Sequence, residues 1–218
     1  MNRISFRAVS LLLSVILVSS SAGFGQDLKP IQLPKPQEDG GKPLMQALKA
    51  RSSSRSFSTK KLPMQVLANL LWAGFGVNRP KSGKRTAPSA VNWQEIDIYV
   101  ALAQGLYLYD ARVHVLKPVL ARDIRAAAGH QKFTENVPVD LIYVADRSRM
   151  GKASADQKDF YSATDTGFIS QNVYLFCASE GLATVVLGMV DKQALAKKMG
   201  LRPDQKVILT QPVGYPGE

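Results

Sequence analysis

Two arginines and a run of serines lie close together after the first fifth of the chain. In the first segment, KARSSSRSFS at residues 49–58, Arg51 and Arg55 enclose three serines, and Ser52 and Ser53 are candidate ligands beside them. Guanidinium groups bind phosphate oxygens in pairs, and hydroxyls add further hydrogen bonds. Because Arg51 and Arg55 are four residues apart, they share a face if the segment is a helical turn. The segment therefore predicts a clamp for one phosphate dianion.

A second group of polar residues follows a proline and leads into a strand. This second segment is APSAVNWQEIDIYVA at residues 87–101. Its candidate binding residues are Pro88, Ser89, Ala90, Asn92 and Gln94. Amides at such a turn suit the polar edge of a planar heterocycle, where donors hold the charge that builds up on reduction. A purely turn-stabilising role is the alternative for Asn92.

The common hydrolase, metal and nucleotide patterns do not occur in the sequence. There is no G-x-S-x-G, and the two histidines, His114 and His130, lie outside any catalytic motif. One cysteine and no H-x-x-x-H argue against a metal site. No G-x-G-x-x-G follows a strand and no P-loop is present, so Rossmann and P-loop nucleotide sites are not supported. The residue types single out no catalytic acid or base.

The order of the segments resembles the nitroreductase superfamily of FMN-dependent oxidoreductases. The family pattern R-R-S-x-R-x-F appears at residues 51–57, and P-S-x-x-N-x-Q at 88–94. A D-x-G…Q-N helix matches residues 165–172, and a glycine-containing turn matches the third segment, ATVVLGMVD at 183–191. ALAQGLYLYDARVHVLKPV, at 101–119, resembles the SagB/ThcOx-type dehydrogenases of thiazole- and oxazole-modified peptides.

This resemblance implies a cofactor, a fold and an assembly. The fold would be nitroreductase-like, with a central, mainly antiparallel sheet flanked by helices. FMN would be the cofactor, with Val186, Leu187 and Gly188 passing close to it. The flavin would lie between segments of two subunits, so a homodimer with two sites is expected. Because the cofactor carries the electron chemistry, the protein's task is placement and electrostatics.

Three positions depart from the family pattern. Ser52 stands where the family has a second arginine, and Val91 stands where glycine is common. Relatives also continue past the closing G-Y-P to a basic residue that reaches the FMN phosphate, whereas this sequence ends at Gly217-Glu218. We expect that contact to be missing or supplied elsewhere, with Lys84 and Arg85 as candidates.

The N-terminal residues have the pattern of a secretory signal. Two arginines precede an apolar run at residues 8–18, which is too short for an ordinary membrane span. We expect residues 1–25 to be a signal peptide, cleaved after Ala22 or Gly25, and the mature chain to be exported, in the periplasm, without a stable membrane anchor. The alternative is an uncleaved N-terminal anchor.

Charge and cysteine content narrow the class of partner. The formal charge of +11 is spread along the chain, with no basic stripe interleaved with aromatics. A nucleic-acid role is therefore not favoured, and a small-molecule substrate is expected. Cys177 is the only cysteine, so no intrachain disulfide can form. It lies in the apolar run at 173–178 and is predicted to be buried and unreactive.

Periodicity predicts one α+β domain at residues 44–218, preceded by an extended linker or arm at 26–43. The arm is rich in proline and glycine, is not expected to pack as an element, and is a candidate for embracing a second subunit. A basic loop is predicted at residues 78–87. In the longest helix, Phe168, Val173, Leu175 and Phe176 are predicted to mark the buried face. Helices are predicted at residues 44–48, 62–75, 122–128, 159–182 and 191–199, and strands at 95–103, 106–109, 137–145 and 207–213.

Three functions remain open from the sequence. The first is an exported FMN enzyme that moves two electrons to or from a small conjugated or heterocyclic substrate. The second is a flavin-binding or flavin-handling protein with little turnover. The third is an exported binding domain without flavin. The sequence leaves open the substrate and the electron donor, whether NAD(P)H or another reductant.

Overall fold

The computed structural model describes residues 28–217. The predicted signal peptide, its cleavage sites and Glu218 lie outside these residues. No helix within 28–217 is long and apolar enough to cross a membrane. The helices are α1 (Leu44–Ala50), α2 (Met64–Phe75), α3 (Ala155–Glu180) and α4 (Lys192–Met199). The strands are β1 (Ile31–Gln32), β2 (Val77–Arg79), β3 (Lys84–Arg85), β4 (Ile96–Leu102), β5 (Gly105–Asp110), β6 (Val115–Leu120), β7 (Val139–Asp146), β8 (Ala183–Thr184) and β9 (Gln205–Gly214).

Seven of these strands form one sheet in the order β1-β6-β5-β4-β7-β9-β8, and every described pairing in it is antiparallel. The predicted hairpin of β4 and β5 is present, with Leu102 paired to Gly105. The predicted α+β fold with a mainly antiparallel central sheet is therefore confirmed.

The central strands are buried on both faces, and each face packs against different helices. On one face, Ile96, Ile98 and Val100 of β4 pack with residues of α2 and α3. On the opposite face, Tyr99 and Ala101 join a second core with residues of α4. The sheet is thus a layer between helices, and α3 lies against one side of it.

The longest helix begins at a capping box and ends at a glycine. The Ser154 hydroxyl accepts a hydrogen bond from Gln157 N, and the Gln157 side chain accepts one from Ser154 N. Gly181 ends the helix in the left-handed conformation. Cys177 is buried, as predicted. The burial of Phe168 was wrongly predicted, because its side chain is 44% exposed.

The N-terminal arm packs against its own subunit, which differs from the sequence prediction. Ile31 and Gln32 pair with β6 and form the edge of the main sheet, and Leu33 is buried. Further along, Lys42 N donates to Ser179 Oγ of α3 at 2.7 Å. Proline removes backbone donors but is tolerated at a sheet edge, where one side of the strand needs none.

Two predicted segments have a different local structure. The predicted loop at 78–87 contains the short hairpin of β2 and β3. The predicted helix at 122–128 is only a 3₁₀ turn at Arg125–Ala127. Both segments are too short for periodicity to distinguish a turn from a regular element.

Candidate functional site

The first segment is an exposed loop at the end of α1. The helix ends at Ala50, so Arg51 and Arg55 do not share a helical face, and that part of the prediction was wrong. Ser52, Ser53 and Arg55 are exposed. Ser54 N donates to Thr184 O at 2.9 Å, which fixes the loop to β8 at the start of the third segment.

Tyr174 of α3 joins the first segment to the third. Its hydroxyl oxygen lies 3.0 Å from Ser53 Oγ and accepts a hydrogen bond from Val186 N at 2.9 Å. The Arg51 guanidinium lies over the same ring, 5.3 Å from its centroid. This cation–π contact orients Arg51 without neutralising its charge.

The third segment is held to the sheet and leaves open space at its glycine. Leu187 is buried and exchanges backbone hydrogen bonds with Thr210, at 2.8 and 3.1 Å. A side chain built at Gly188 would meet only Leu209, at 3.8 Å. Gly188 is exposed, so a flat group can approach its backbone.

Hydrogen bonds anchor the turn of the second segment to the start of β4 and to α3. The Ser89 hydroxyl accepts from Gln94 N at 2.8 Å and donates to Glu95 Oε2 at 3.2 Å. Ala90 N donates to Asp165 Oδ2 of α3 at 2.9 Å. Pro88, just before this network, is exposed.

The turn carries strain that presents its polar groups to solvent. Val91, Asn92 and Gln94 all have a backbone φ between 48° and 58°, a region that residues other than glycine rarely adopt. The Asn92 side chain accepts from Gln94 Nε2 at 3.0 Å, and Asn92 is exposed. Strained backbone of this kind is concentrated at ligand clamps and active sites.

A carboxyl pair lies beneath this turn. Glu95 and Asp165 are buried. Burial, reinforced by the neighbouring Asp165 carboxyl, raises the pKa of Glu95 to about 7. A proton on Glu95 avoids leaving two negative charges next to each other in the core.

The two anchoring points lie on opposite faces of α3. Asp165 and Tyr174 are nine residues apart, which at 3.6 residues per turn is two and a half turns, or about 14 Å along the axis. The structure therefore brings the first and third segments together but holds the second segment on the other side of the helix. One subunit does not assemble all the candidate residues around one cavity.

The donor set of the first segment fits a phosphate. Within residues 28–217, neither Arg51 nor Arg55 pairs with a carboxylate. Two guanidiniums and exposed serine hydroxyls thus remain available to an anion. The same described residues contain no cluster of His, Cys, Asp or Glu able to hold a metal ion.

Two functional candidates escaped the sequence reasoning. Tyr174 lies in no family motif, and its role depends on two loops that are distant in sequence. Glu95 reads as the first residue of a strand. A charged residue directly before a largely buried strand was the available signal, because such residues are rarely buried without a partner.

The profile of the nitroreductase family matches residues 48–215. A crystal structure from Ralstonia eutropha, of a protein provisionally named a nitroreductase, superposes with a TM-score of 0.84 at 38% identity, covering 99% of this chain and all of that one.

Two further proteins resemble this chain at lower sequence identity. A provisionally named nitroreductase of Methanocaldococcus jannaschii is 29% identical over 198 residues, covering 86% of this chain and 97% of its own. The NADPH:FMN oxidoreductase of Vibrio harveyi, crystallised with NAD+, shares the fold at 19% identity and a TM-score of 0.60, covering 80% of this chain and 69% of that one. The chain belongs to the nitroreductase family.

Proposed function

We propose that this protein is an exported FMN-dependent oxidoreductase that moves two electrons to or from a small conjugated or heterocyclic substrate. The observation that carries the proposal is the pair of unneutralised arginines, Arg51 and Arg55, on a loop that Tyr174 ties to Val186, two residues before the open backbone at Gly188. Membership of the nitroreductase family and the FMN named for the Vibrio harveyi protein support the same cofactor.

Each part of the chain has a distinct task in this proposal. Arg51, Ser52, Ser53 and Arg55 hold the phosphate through charge-assisted hydrogen bonds. Val186, Leu187 and Gly188 supply a backbone shelf for the flat ring. When bound, FMN supplies the two-electron chemistry. Pro88, Ser89, Ala90, Asn92 and Gln94 form the turn that offers amides to the polar edge of the ring.

The proposed site is completed by a second copy of the chain. The second segment lies across α3 from the first, and a stripe that includes Phe160 and Phe168 runs between them, with these two rings 64% and 44% exposed. Leu44, Met45 and Leu48 of α1 are also exposed. A homodimer that covers this surface would set the second segment of one subunit against the first segment of its partner.

Three finer points belong to the same proposal. The N-terminal pattern favours export to the periplasm after removal of residues 1–25, which leaves the 26–43 arm and a domain at 44–218. The sequence at 101–119 favours the dehydrogenase subgroup of thiazole- and oxazole-modified peptides. An exported enzyme has little access to nicotinamide cofactors, so another reductant or acceptor is expected.

The cofactor and its turnover can be tested on the purified mature protein. Mass spectrometry of heat-released ligand should find FMN and not FAD, before or after reconstitution. The bound flavin should bleach with a reductant and recover its colour when a quinone or nitroaromatic acceptor is added. Bleaching without recovery would favour the flavin-handling alternative, and absence of flavin after reconstitution would reject both.

The phosphate clamp has its own test. Arg55→Ala should weaken FMN binding more than Ser54→Ala, because a charge-assisted contact contributes about 1.5–3 kcal/mol and a neutral one about 1 kcal/mol. Titration of apoprotein with FMN measures both. Equal losses would show that this loop does not hold the phosphate.

A further inference from the structure

The Ser89 hydroxyl connects an open cavity to a buried carboxyl. Ser89 lines a cavity of about 320 Å³ together with Asn92 and Gln94 of the same turn. On its inner side, Ser89 Oγ donates to Glu95 Oε2 at 3.2 Å and accepts from Gln94 N at 2.8 Å. Glu95 is fully buried. A group bound in the cavity would therefore meet the Ser89 hydroxyl, and Glu95 would lie behind it.

The Glu95 carboxyl is incompletely paired. Its Oε1 atom is buried and accepts no hydrogen bond from residues 28–217. Within the same residues, no cation forms an ion pair with it. Asp165 of α3 brings a second carboxyl to its side. Burial and this neighbour raise the pKa of Glu95 to about 7, so the carboxyl changes charge near neutral pH.

The other charged groups close to Glu95 are already engaged. β7 contacts its backbone, where Asp146 N donates to Glu95 O at 2.8 Å. The Arg149 guanidinium donates to Gln94 O at 2.9 Å. It also pairs with Asp97 at 2.8 Å and with Asp146 at 3.4 Å. This guanidinium is therefore compensated by its own carboxylates and does not hold Glu95 in the charged form.

The charge of Glu95 decides where the hydrogen of the Ser89 hydroxyl points. A hydroxyl has one donor and two acceptor positions. When Glu95 is ionised, Ser89 donates its hydrogen to the carboxylate. When Glu95 is protonated, its own O–H donates to Ser89 Oγ beside the bond from Gln94 N, and the Ser89 hydrogen is free to face the cavity. One proton on Glu95 thus adds one donor to the cavity wall.

We propose that Glu95 and Ser89 form a proton-coupled switch, in which reduction of the flavin draws a proton onto Glu95 and turns the Ser89 hydroxyl toward the charged edge of the ring. This inference rests on the proposed function, which places the second segment against that edge.

The electrons and the proton of this switch have separate sources. The two electrons come from the reductant, and Glu95 changes no redox state. The proton comes from solvent through Ser89, whose hydroxyl gives its hydrogen to Glu95 and accepts another from the cavity. Glu95 is a positioning residue, and Ser89 makes the contact. A donor that turns outward only when the ring carries charge favours the reduced state over the oxidised state.

The first test needs no flavin. The backbone amide of Gln94 donates to Ser89 Oγ, so its NMR chemical shift in the apoprotein reports on the hydroxyl. This shift should titrate with a midpoint near pH 7 in the unmodified protein and should lose that titration in Glu95→Gln. The exposed Glu135→Gln is the control and should keep it. An unchanged titration in Glu95→Gln, or none in the unmodified protein, would overturn the switch.

The second test measures the reduction potential of the bound flavin against pH. Around pH 7, reduction should take up one more proton in the unmodified protein and in Glu135→Gln than in Glu95→Gln. One pH unit is a tenfold change in proton concentration, so a full extra proton steepens the slope by about 30 mV per pH unit for two electrons. Equal slopes in the unmodified protein and Glu95→Gln would contradict the proposal.

Variants of Ser89 separate the switch from a simple effect of charge. Ser89→Ala removes the hydroxyl and should lose the extra slope. Ser89→Thr keeps a hydroxyl at an extended backbone position and should retain the slope. If Ser89→Ala kept the extra slope, Glu95 would act through space and the switch would be rejected. A protein without flavin after reconstitution would reject the proposed function, and the Gln94 amide titration would still decide whether Glu95 and Ser89 are coupled.

Discussion

At the scale of single residues, the phenol of Tyr174 connects two loops that hold most of the proposed phosphate and ring contacts. Tyr174→Phe removes one hydrogen bond to Val186 N and one to Ser53 Oγ. We expect FMN affinity to fall about fivefold, because the net contribution of such a bond is about 1 kcal/mol. Fluorescence titration of apoprotein with FMN measures the change.

The matched control is Tyr161→Phe on the same helix. The Tyr161 ring packs against Trp93, and within residues 28–217 its hydroxyl makes no hydrogen bond. This variant should bind FMN as the unmodified protein does. An equal loss in both variants would mean that Tyr174 acts only through the stability of α3.

Glu95 gives a second residue-scale prediction, on stability against pH. Burial first, and then Asp165, raises the pKa of Glu95 from 4.5 to about 7. A raised carboxyl pKa means that the folded state holds the proton longer, so this stability is complete below pH 4.5 and is lost as pH rises through 7. The effect is of the order of 3 kcal/mol, at about 1.4 kcal/mol per pKa unit.

Glu95→Gln stays neutral and should flatten this dependence. Urea unfolding at pH 4.5, 6 and 8 should show that the unfolding free energy of the variant increases relative to that of the unmodified protein as pH rises. The exposed Glu135→Gln serves as control and should leave the slope unchanged. Because Asp140 is another buried carboxyl whose pKa burial raises, only the difference between variants isolates Glu95. Parallel curves for the two proteins would contradict the buried carboxyl pair.

At the scale of elements, the start of α3 is stabilised by its capping box. Ser154→Ala removes the side-chain acceptor for Gln157 N and should cost about 1 kcal/mol of unfolding free energy. Ser154→Asp restores an acceptor and adds a favourable charge at the helix N-terminus, so it should recover the loss. Urea unfolding compares the two, and equal destabilisation would show that the box does not stabilise the helix.

Helices and strands could be predicted where the spacing of apolar side chains matched the face that the fold buries. The strand predicted at 95–103 is present as β4, and the helix predicted at 191–199 is present as α4. The predicted burial of Phe168 was wrong because an apolar residue type does not indicate whether its own chain or another molecule covers it. The prediction that the arm does not pack as an element was wrong because proline content does not indicate a two-residue pairing with β6.

The site was predictable in part for the same reason. Local motifs located the three segments, and the structure joins the first to the third through Tyr174. The second segment contacts the other face of α3, which no local pattern could have indicated. The helical turn assumed for Arg51 and Arg55 was wrong because α1 stops one residue earlier.

At the scale of the whole molecule, the exposed stripe on α3 predicts that assembly and flavin binding are coupled. Phe168→Glu places a charge in the proposed subunit contact. It should both dissociate the proposed dimer and weaken the binding of FMN. Ligand that binds only the associated form shifts the equilibrium toward it, so FMN should tighten the unmodified dimer. Sedimentation at several protein concentrations, with and without FMN, measures this.

Val119→Glu is the control for charge and exposure. Val119 lies on β6 and is 41% exposed, close to the 44% of Phe168. It should change neither the sedimentation nor the FMN affinity. A monomer that holds FMN stoichiometrically would reject a site built from two subunits.

Val91 has a consequence for thermal behaviour. It is a β-branched residue at φ 52°, and it is 80% exposed, so no packing in its own subunit offsets a strain of about 1–2 kcal/mol. Val91→Gly would relieve that strain at some cost in chain entropy, and a net 1 kcal/mol raises the melting temperature of a domain of this size by about 2–4 °C. The looser turn should bind flavin more weakly, so heat resistance and cofactor retention would change in opposite directions at this single position.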